Sequence, residues 1–417
     1  MNIEILKRII KENLEFINSL SLKPRHIEIE KEGNYVLIGQ RRAGKTFILY
    51  QIIQSLSGKK NDDCLFINFE DERLLEFTIN DFDLLLEAYR QLFNKKPIIF
   101  FDEPQNIQGW EKAGRRLSDT GYRVFITGSN ATLISKEIAS TLGGRFFTKE
   151  IQPLSFMEFL DFNNMRFGKN FEYEKQKIDI IRLQDDYLHY GGLPECLKYN
   201  DKRGYLSNIF QKVFYGDIIT RYSIKNDMAL KMLIKKIAES VNNEASFNRI
   251  KNIIQSANVK VGTGTLIEYF QYLEESFLIF SITNYTAKFS ERENKKKFYF
   301  GDTGILNLFL IDQDSKLLEN LVFIELKRRY QSEIYFYKRN IETDFYIPDK
   351  DLLIQVSYSI HDYNSREREI KALQNSMNEF NIGEAYIITY NEEEEINAKN
   401  KIIYAIPYWK WVLKSCF

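Results

Sequence analysis

Three cysteines in 417 residues, Cys64, Cys196 and Cys416, are too few and too scattered to make a covalent framework. They are odd in number and form no CxxC pair, so neither a disulfide scaffold nor a zinc site is expected, and a reducing cytoplasmic interior is the simplest compartment. Net charge is missing too: Lys plus Arg and Asp plus Glu each total 58. That balance excludes a strongly basic chain that coats nucleic acid and leaves room only for a local basic patch. No apolar run approaches the ~18 residues a bilayer span needs, so no membrane partner is expected. The opening MNIEILKRIIKENLEF threads charges through an amphipathic pattern and reads as a surface helix rather than a signal peptide. There is no internal repeat, and the acidic run Glu392 to Glu395 is short enough to be a solvated loop.

What is present suits a globular chain: 44% hydrophobic and 14% aromatic residues, over a length that predicts two to four domains. The runs NYVLIG (34–39), CLFINF (64–69), PIIFF (97–101) and RVFITG (123–128) alternate with helical stretches. Continuous β-rich runs of this kind predict a buried parallel sheet and an α/β fold. Residues 160 to 225 turn helical, with IIRLQDDYLHYGG and LSNIFQKVFYGDIITRY as the clearest members. ALKMLIKKIAESV, FNRIKNIIQSA and GTLIEYFQYLEESFLIF then predict three helices, and FSITNY and KKKFYFGD a two-stranded ribbon. The remainder is mixed, with a helix LLENLVFIELKRRY, strands EIYFYK, TDFYI and LLIQVSY, and a terminal aromatic IPYWKWVL. The expected divisions are 1–160, 161–227, 228–300 and 301–417.

One stretch carries chemistry. Gly39-Gln40-Arg41-Arg42-Ala43-Gly44-Lys45-Thr46 fits GxxxxGK[ST] at every fixed position, after a strand and before the helical FILYQIIQSL. Gly39 and Gly44 let the backbone turn its amides inward to phosphate oxygens, and the following helix adds its N-terminal partial charge. Lys45 would bridge the outer phosphates and Thr46 would offer a hydroxyl to Mg2+. A chance match in a strand–turn–helix is the competing reading. PIIFFDEPQ then ends a strand in Asp102, placed to hold magnesium through water, and Glu103, placed to polarise a water towards a γ-phosphate. In VFITGSNATL, Thr127, Ser129 and Asn130 end another strand. Ser129 fits both a γ-phosphate sensor and a plain helix N-cap. Arg145 in TLGGRFF is either an arginine finger, in cis or across a subunit boundary, or an ordinary surface cation.

At this point the sequence resembles prokaryotic AAA-type P-loop ATPases that carry a C-terminal domain of unknown function. GQRRAGKT, INFEDERL, IIFFDEPQNIQGWE, FITGSNATLI, LGGRFFTKEIQPLSFMEFL, YLHYGGLPE, FYGDIITRYSIKN, FYFGDTGI, LLENLVFIEL, ETDFYI and IPYWKW carry the likeness in one order. The resemblance implies an AAA-type ATPase domain over 1–160, a helical lid over 161–227 and ATP with Mg2+ as cofactors. It puts Gly192-Leu193-Pro194 at the lid position that lies near adenine, which makes Pro194 a candidate base contact; a helix stop is the alternative.

Residues 228–300 look like a winged helix, whose third helix commonly docks on DNA. Leu266, Phe270, Leu273 and Phe277 should face its core, leaving Glu268, Gln271, Glu274 and Glu275 outside, where carboxylates repel phosphates. Lys251, Lys260 and Lys295 to Lys297 are the cations that could offset this. DNA and a protein partner are both open as clients. Residues 301–417 look like a restriction-endonuclease-type α/β domain, with Glu325 on a helix, Asp344 ending a strand and Gln355 in the next. Gln355-Val356-Ser357 lacks the glutamate and lysine of an active centre, so a degenerate domain is expected. The leading expectation is a Mg2+-dependent ATP hydrolase that remodels or switches binding to DNA or a protein, in an assembly that could be homo-oligomeric. The alternatives are a nucleotide-gated assembly switch with negligible turnover and a metal-dependent nuclease.

Overall fold

The apolar runs of the first half become strands Asn34–Ile38 (β1), Cys64–Asn68 (β2), Ile98–Asp102 (β3) and Val124–Gly128 (β4), nearly every residue buried. The computed structural model describes all residues except 57–61, 130–139, 169, 170, 174, 331, 332, 399 and 415–417, so Asn130 and Cys416 fall outside it. The chain divides into two compact units, Met1–Gln152 with Glu275–Phe277, and Pro153–Glu274 with Leu278–Phe417.

In the first unit, Ile3–Ser19 (α1), Lys45–Leu56 (α2), Phe82–Phe93 (α3) and Trp110–Asp119 (α4) accompany the strands. Helix α1 starts where Asn2 caps Glu4 N–H and buries Leu6, Ile9, Ile10, Leu14 and Ile17, a stripe at helical spacing. A fifth strand, Phe146–Glu150 (β5), completes a parallel sheet in the order β2-β3-β4-β1-β5. Periodicity had not announced β5, because FFTKE is a half-exposed edge with no continuous apolar run. Across the middle strands Phe100 stacks on Phe125 at 4.8 Å and Phe125 on Tyr35 at 5.7 Å, cross-strand pairs that fix the register. Parallel strands present all their C-terminal ends at one edge. There β4 lies between β1 and β3, so Thr127 and Ser129 come between the phosphate loop and the acidic pair.

The second unit holds a nine-stranded mixed sheet, in the order β13-β14-β12-β11-β10-β9-β7-β8-β6. Helices Asp227–Ser240, Phe247–Ser256 and Thr263–Glu275 go with strands Ala245–Ser246 (β6), Ile279–Asn284 (β7) and Lys295–Phe300 (β8). Leu266, Phe270 and Leu273 are buried as their spacing predicts. The third helix stops earlier than expected: Phe277 takes a left-handed φ of 57° and Ile279 already opens β7. Tyr335–Lys338 (β9), Glu342–Ile347 (β10) and Leu352–Val356 (β11) form an antiparallel meander. Helix Tyr363–Phe380 then leads to Glu384–Thr389 (β12), parallel to β11; Glu394–Ala398 (β13) and Lys401–Pro407 (β14) follow. The expected ribbon is not free-standing, since β7 pairs in parallel with β9 and joins the C-terminal strands in one sheet.

Two local devices in this unit explain quoted motifs. Asp302 sits wholly buried, accepting the N–H of Gly192 at 2.8 Å and of Ile305 at 3.2 Å. A Cβ on Gly191 would lie 2.1 Å from Asp302 Oδ1, so YGGLPE and FGDTGI interlock through glycine. Val213–Thr220, within FYGDIITRY, is π-helical, an uncommon winding often found at functional sites.

Candidate functional site

The phosphate loop leaves β1 at Gly39, whose φ of 144° and tight packing exclude a side chain: a Cβ there would stand 2.1 Å from Ile151 O. Arg42 takes φ 65° and Gly44 φ 96°, so the loop coils back before α2 begins at Lys45. Ala43 and Lys45 are buried, and Lys45 Nζ donates to Gly39 O at 2.8 Å and Gln40 O at 3.0 Å. Gln40 is 4% exposed and its Oε1 accepts no hydrogen bond, an orphan polar atom inside the loop. Arg41 reaches out to Glu70 at 3.3 Å.

Thr46 Oγ1, in the first turn of α2, lies 3.1 Å and 3.0 Å from the two carboxylate oxygens of Asp102 at the end of β3. Thr127 Oγ1 donates to Asp102 Oδ1 and accepts Glu103 N–H at 3.2 Å. Burial pushes the Asp102 carboxyl up to about 6, against the lowering bond from Thr127, with Glu103's charge adding to the rise. A hydroxyl beside a buried carboxylate is a hard-oxygen pair that fits Mg2+, which keeps several waters and takes its remaining ligands from phosphates. A buried lysine that donates to two loop carbonyls, at a helix N-terminus, fits a phosphate anion. The donor set therefore suits a nucleoside triphosphate with its metal.

Glu103 follows at φ 53°, a left-handed conformation that a non-glycine residue adopts at a cost and that gathers at functional sites. Its Oε2 accepts Ser129 N–H and Ser129 Oγ–H, both at 3.3 Å, and a bond from Gln105 Nε2. Ser129 is thus joined to Glu103. Arg145 is not: it pairs with Asp119 and Gly143 O, and its carbonyl takes Asn34 Nδ2 at 3.2 Å, at the start of β1 and away from the loop that follows β1's other end. Within one subunit it therefore sits at the end of β1 opposite the phosphate loop. Pro194 opens a short 3-10 helix, Pro194–Lys198, in the second unit, and its preceding glycines serve the Asp302 interlock.

Arg25 is a residue that no sequence motif marks. Its Nη1 donates to Ala43 O at 2.7 Å, while its backbone N–H and carbonyl bracket the Gln51 amide at 2.8 and 2.9 Å. The segment before β1 is thereby tied to the loop and to α2. Gln105 escaped notice as well, although its spacing two residues after Glu103 was visible. Among the described residues, no group of three His, Cys, Asp or Glu side chains is arranged to hold a metal, and no helix is long and apolar enough to cross a membrane.

Comparison with known proteins agrees with this geometry. An AAA domain matches residues 31–160, and a domain of unknown function (DUF8612) matches residues 181–316. Uncharacterized protein MJ1544 of Methanocaldococcus jannaschii is 35% identical over 98% of this chain and 95% of its own length. A Haemophilus influenzae protein, also named Uncharacterized protein, is 31% identical over 78% of this chain and 82% of its own. Among solved structures, the Walker-type ATPase PABY2304 of Pyrococcus abyssi is similar at 12% identity and a TM-score of 0.43, covering 74% of this chain and 96% of that one. The chain belongs to the family of the Methanocaldococcus jannaschii protein, and its residues 31–160 form an AAA-type P-loop domain.

Proposed function

We propose that the chain is a Mg2+-dependent ATP hydrolase that uses turnover to rearrange its binding to a macromolecular partner. One observation carries this reading: Thr46 Oγ1 within 3.1 Å of both oxygens of buried Asp102, beside a buried Lys45 ammonium that donates to the loop carbonyls of Gly39 and Gln40. In this role Lys45 and the loop amides bind the phosphates, Thr46 and Asp102 hold the ion, and Glu103 takes a proton from the attacking water. The magnesium supplies charge neutralisation at the outer phosphates when bound. Gln40, Arg41, Arg42 and Ala43 complete the loop. Arg145 acting across a subunit boundary belongs to this proposal as an arginine that could stabilise transition-state charge, and Pro194 near adenine on the family resemblance alone; the helical lid, winged-helix and endonuclease-like divisions belong to it as well.

The partner we favour is a protein rather than DNA. On the third helix the exposed face offers Ile267, Glu268 and Gln271, with no cation among them. Lys297 is 0% exposed, so of the ribbon's three lysines it cannot meet a phosphate. A switch with negligible turnover is a second reading, favoured by Glu103: Ser129 and Gln105 already engage its Oε2. Phosphate release from ATP, measured for the wild type, Lys45→Ala and Glu103→Gln, separates the two. Turnover lost in both variants supports the hydrolase, tight ATP binding without turnover in the wild type supports the switch, and equal turnover in all three sinks both.

A further inference from the structure

The likeness of residues 301–417 to an endonuclease implies a divalent metal between a helix acid, Asp344 and the strand carrying Gln355. The residues present do not fit such an ion. Glu325, the acid expected on that helix, turns to Arg328 and Arg329, with Arg329 Nε 2.6 Å from its Oε1. Glu319, nearly two turns earlier, is the one that meets the centre. Into the middle comes Lys297 from β8: its Nζ stands 2.7 Å from Glu342 Oε1, 2.9 Å from Asp344 Oδ1 and 3.3 Å from Glu319 Oε1.

The surrounding groups close the remaining positions. Asp344 Oδ2 accepts Val356 N–H at 3.0 Å, and Asp344 N–H donates to Gln355 Oε1 at 3.1 Å. Tyr299 OH donates to Glu319 Oε1 at 2.8 Å, and the Asn242 amide, turned to donate, lies 3.2 Å from the other Glu319 oxygen. Glu342 Oε2 pairs with Lys338 at 3.0 Å. Lys297, Glu319, Asp344 and Gln355 are all less than a tenth exposed. Burial opposes the charge on Lys297, but the surrounding carboxylates outweigh it and hold the ammonium strongly protonated, while burial and Asp344 push Glu319 towards its neutral form. Mg2+ demands near-octahedral oxygen ligands and several waters, whereas here the carboxylate oxygens already face the Lys297 ammonium and its neighbouring donors.

The geometry points to Lys297 as a built-in cation that takes the place of a metal ion in the endonuclease-like centre and fastens β8 to β10 and helix Asp314–Tyr330. The same ribbon is sewn into the C-terminal sheet on its other strand, where Thr283 and Asn284 of β7 register with Tyr335 and Phe336 of β9. A centre filled by an ammonium generates no metal hydroxide, so the fold serves here as a clasp between ribbon and sheet. This inference stands apart from the ATPase reading.

Mn2+ binding to the full chain without nucleotide, followed by the free-ion EPR signal, tests it. Wild type and Asp344→Asn should bind equal numbers of Mn2+ ions, because the acids are already engaged. Lys297→Met should gain one equivalent that the Lys297→Met/Asp344→Asn double variant lacks, and Mn2+ should raise its melting temperature. An equivalent in the wild type that Asp344→Asn removes would overturn the inference, as would a folded Lys297→Met that gains none. If Lys297→Met does not fold, the first comparison decides alone: equal counts uphold the clasp, unequal counts refute it.

Discussion

Ser129 presents its backbone N–H and its hydroxyl to the same oxygen of Glu103, each at 3.3 Å. The hydroxyl is thereby turned to the carboxylate that follows the neighbouring strand β3. If Glu103 is the base, Ser129→Ala should lower kcat for ATP hydrolysis about ten-fold and leave KM nearly unchanged, because one weak positioning bond is lost. Glu103→Gln should lower kcat by roughly 10²–10⁴ and keep ATP binding. Steady-state phosphate release with parallel calorimetry reads both.

Asp102 should give the apo protein an unusual pH response. Its folded carboxyl titrates near 6 rather than the ordinary 3.8, so protonation favours the fold. That contribution is complete below about 4 and is lost as pH rises through about 6, on the order of 3 kcal/mol in all. Asp102→Asn, without metal or nucleotide, should therefore melt higher than wild type at pH 8 and no higher at pH 4. Mg2+ requires the ionised form, so nucleotide-dependent Mg2+ affinity in the wild type should fall as pH drops below about 6. Melting curves and Mg2+ titrations at three pH values check both halves.

Arg25 ties the segment before β1 to the phosphate loop at Ala43 O. Losing a charged donor to a loop carbonyl costs about 1.5–3 kcal/mol, so Arg25→Ala should weaken ATP binding by roughly ten-fold or more. Gln51→Ala, which loosens the same segment from α2 through bonds of 2.8 and 2.9 Å, should weaken it less.

Gly191 has φ 72° and ψ −166°, a region essentially reserved for glycine, with Asp302 Oδ1 against its absent Cβ. Gly191→Ala should cost at least about 2 kcal/mol in chemical denaturation of the second unit. Gly144→Ala, at φ 68° but with open space around it, should cost less, because only backbone strain is added.

The phosphate loop, Asp102 and Glu103 could be read from the chain because each is a local pattern: a strand, a turn of fixed spacing and a helix, or an apolar run ending in acids. The second unit resisted because its chemistry joins distant segments. Lys297 reads as a surface cation among KKK, yet β8 alternates its side chains and sends the third lysine into the sheet's core. Glu319 and Glu325 share a helix buried on all sides, so helical periodicity could not tell which acid would face Asp344. Arg25 had no motif at all; only the folded chain brings it to Ala43.

The central claim is that the loop around Lys45, with Thr46 and Asp102, takes a nucleoside triphosphate and its divalent ion. Isothermal calorimetry of the purified chain with ATP and Mg2+ tests it most directly, run beside Lys45→Ala. The account predicts saturable heat at one ATP per chain that weakens ~10- to 100-fold in Lys45→Ala, as loss of a charge-assisted hydrogen bond requires. No heat, or equal affinity in the two proteins, would contradict it.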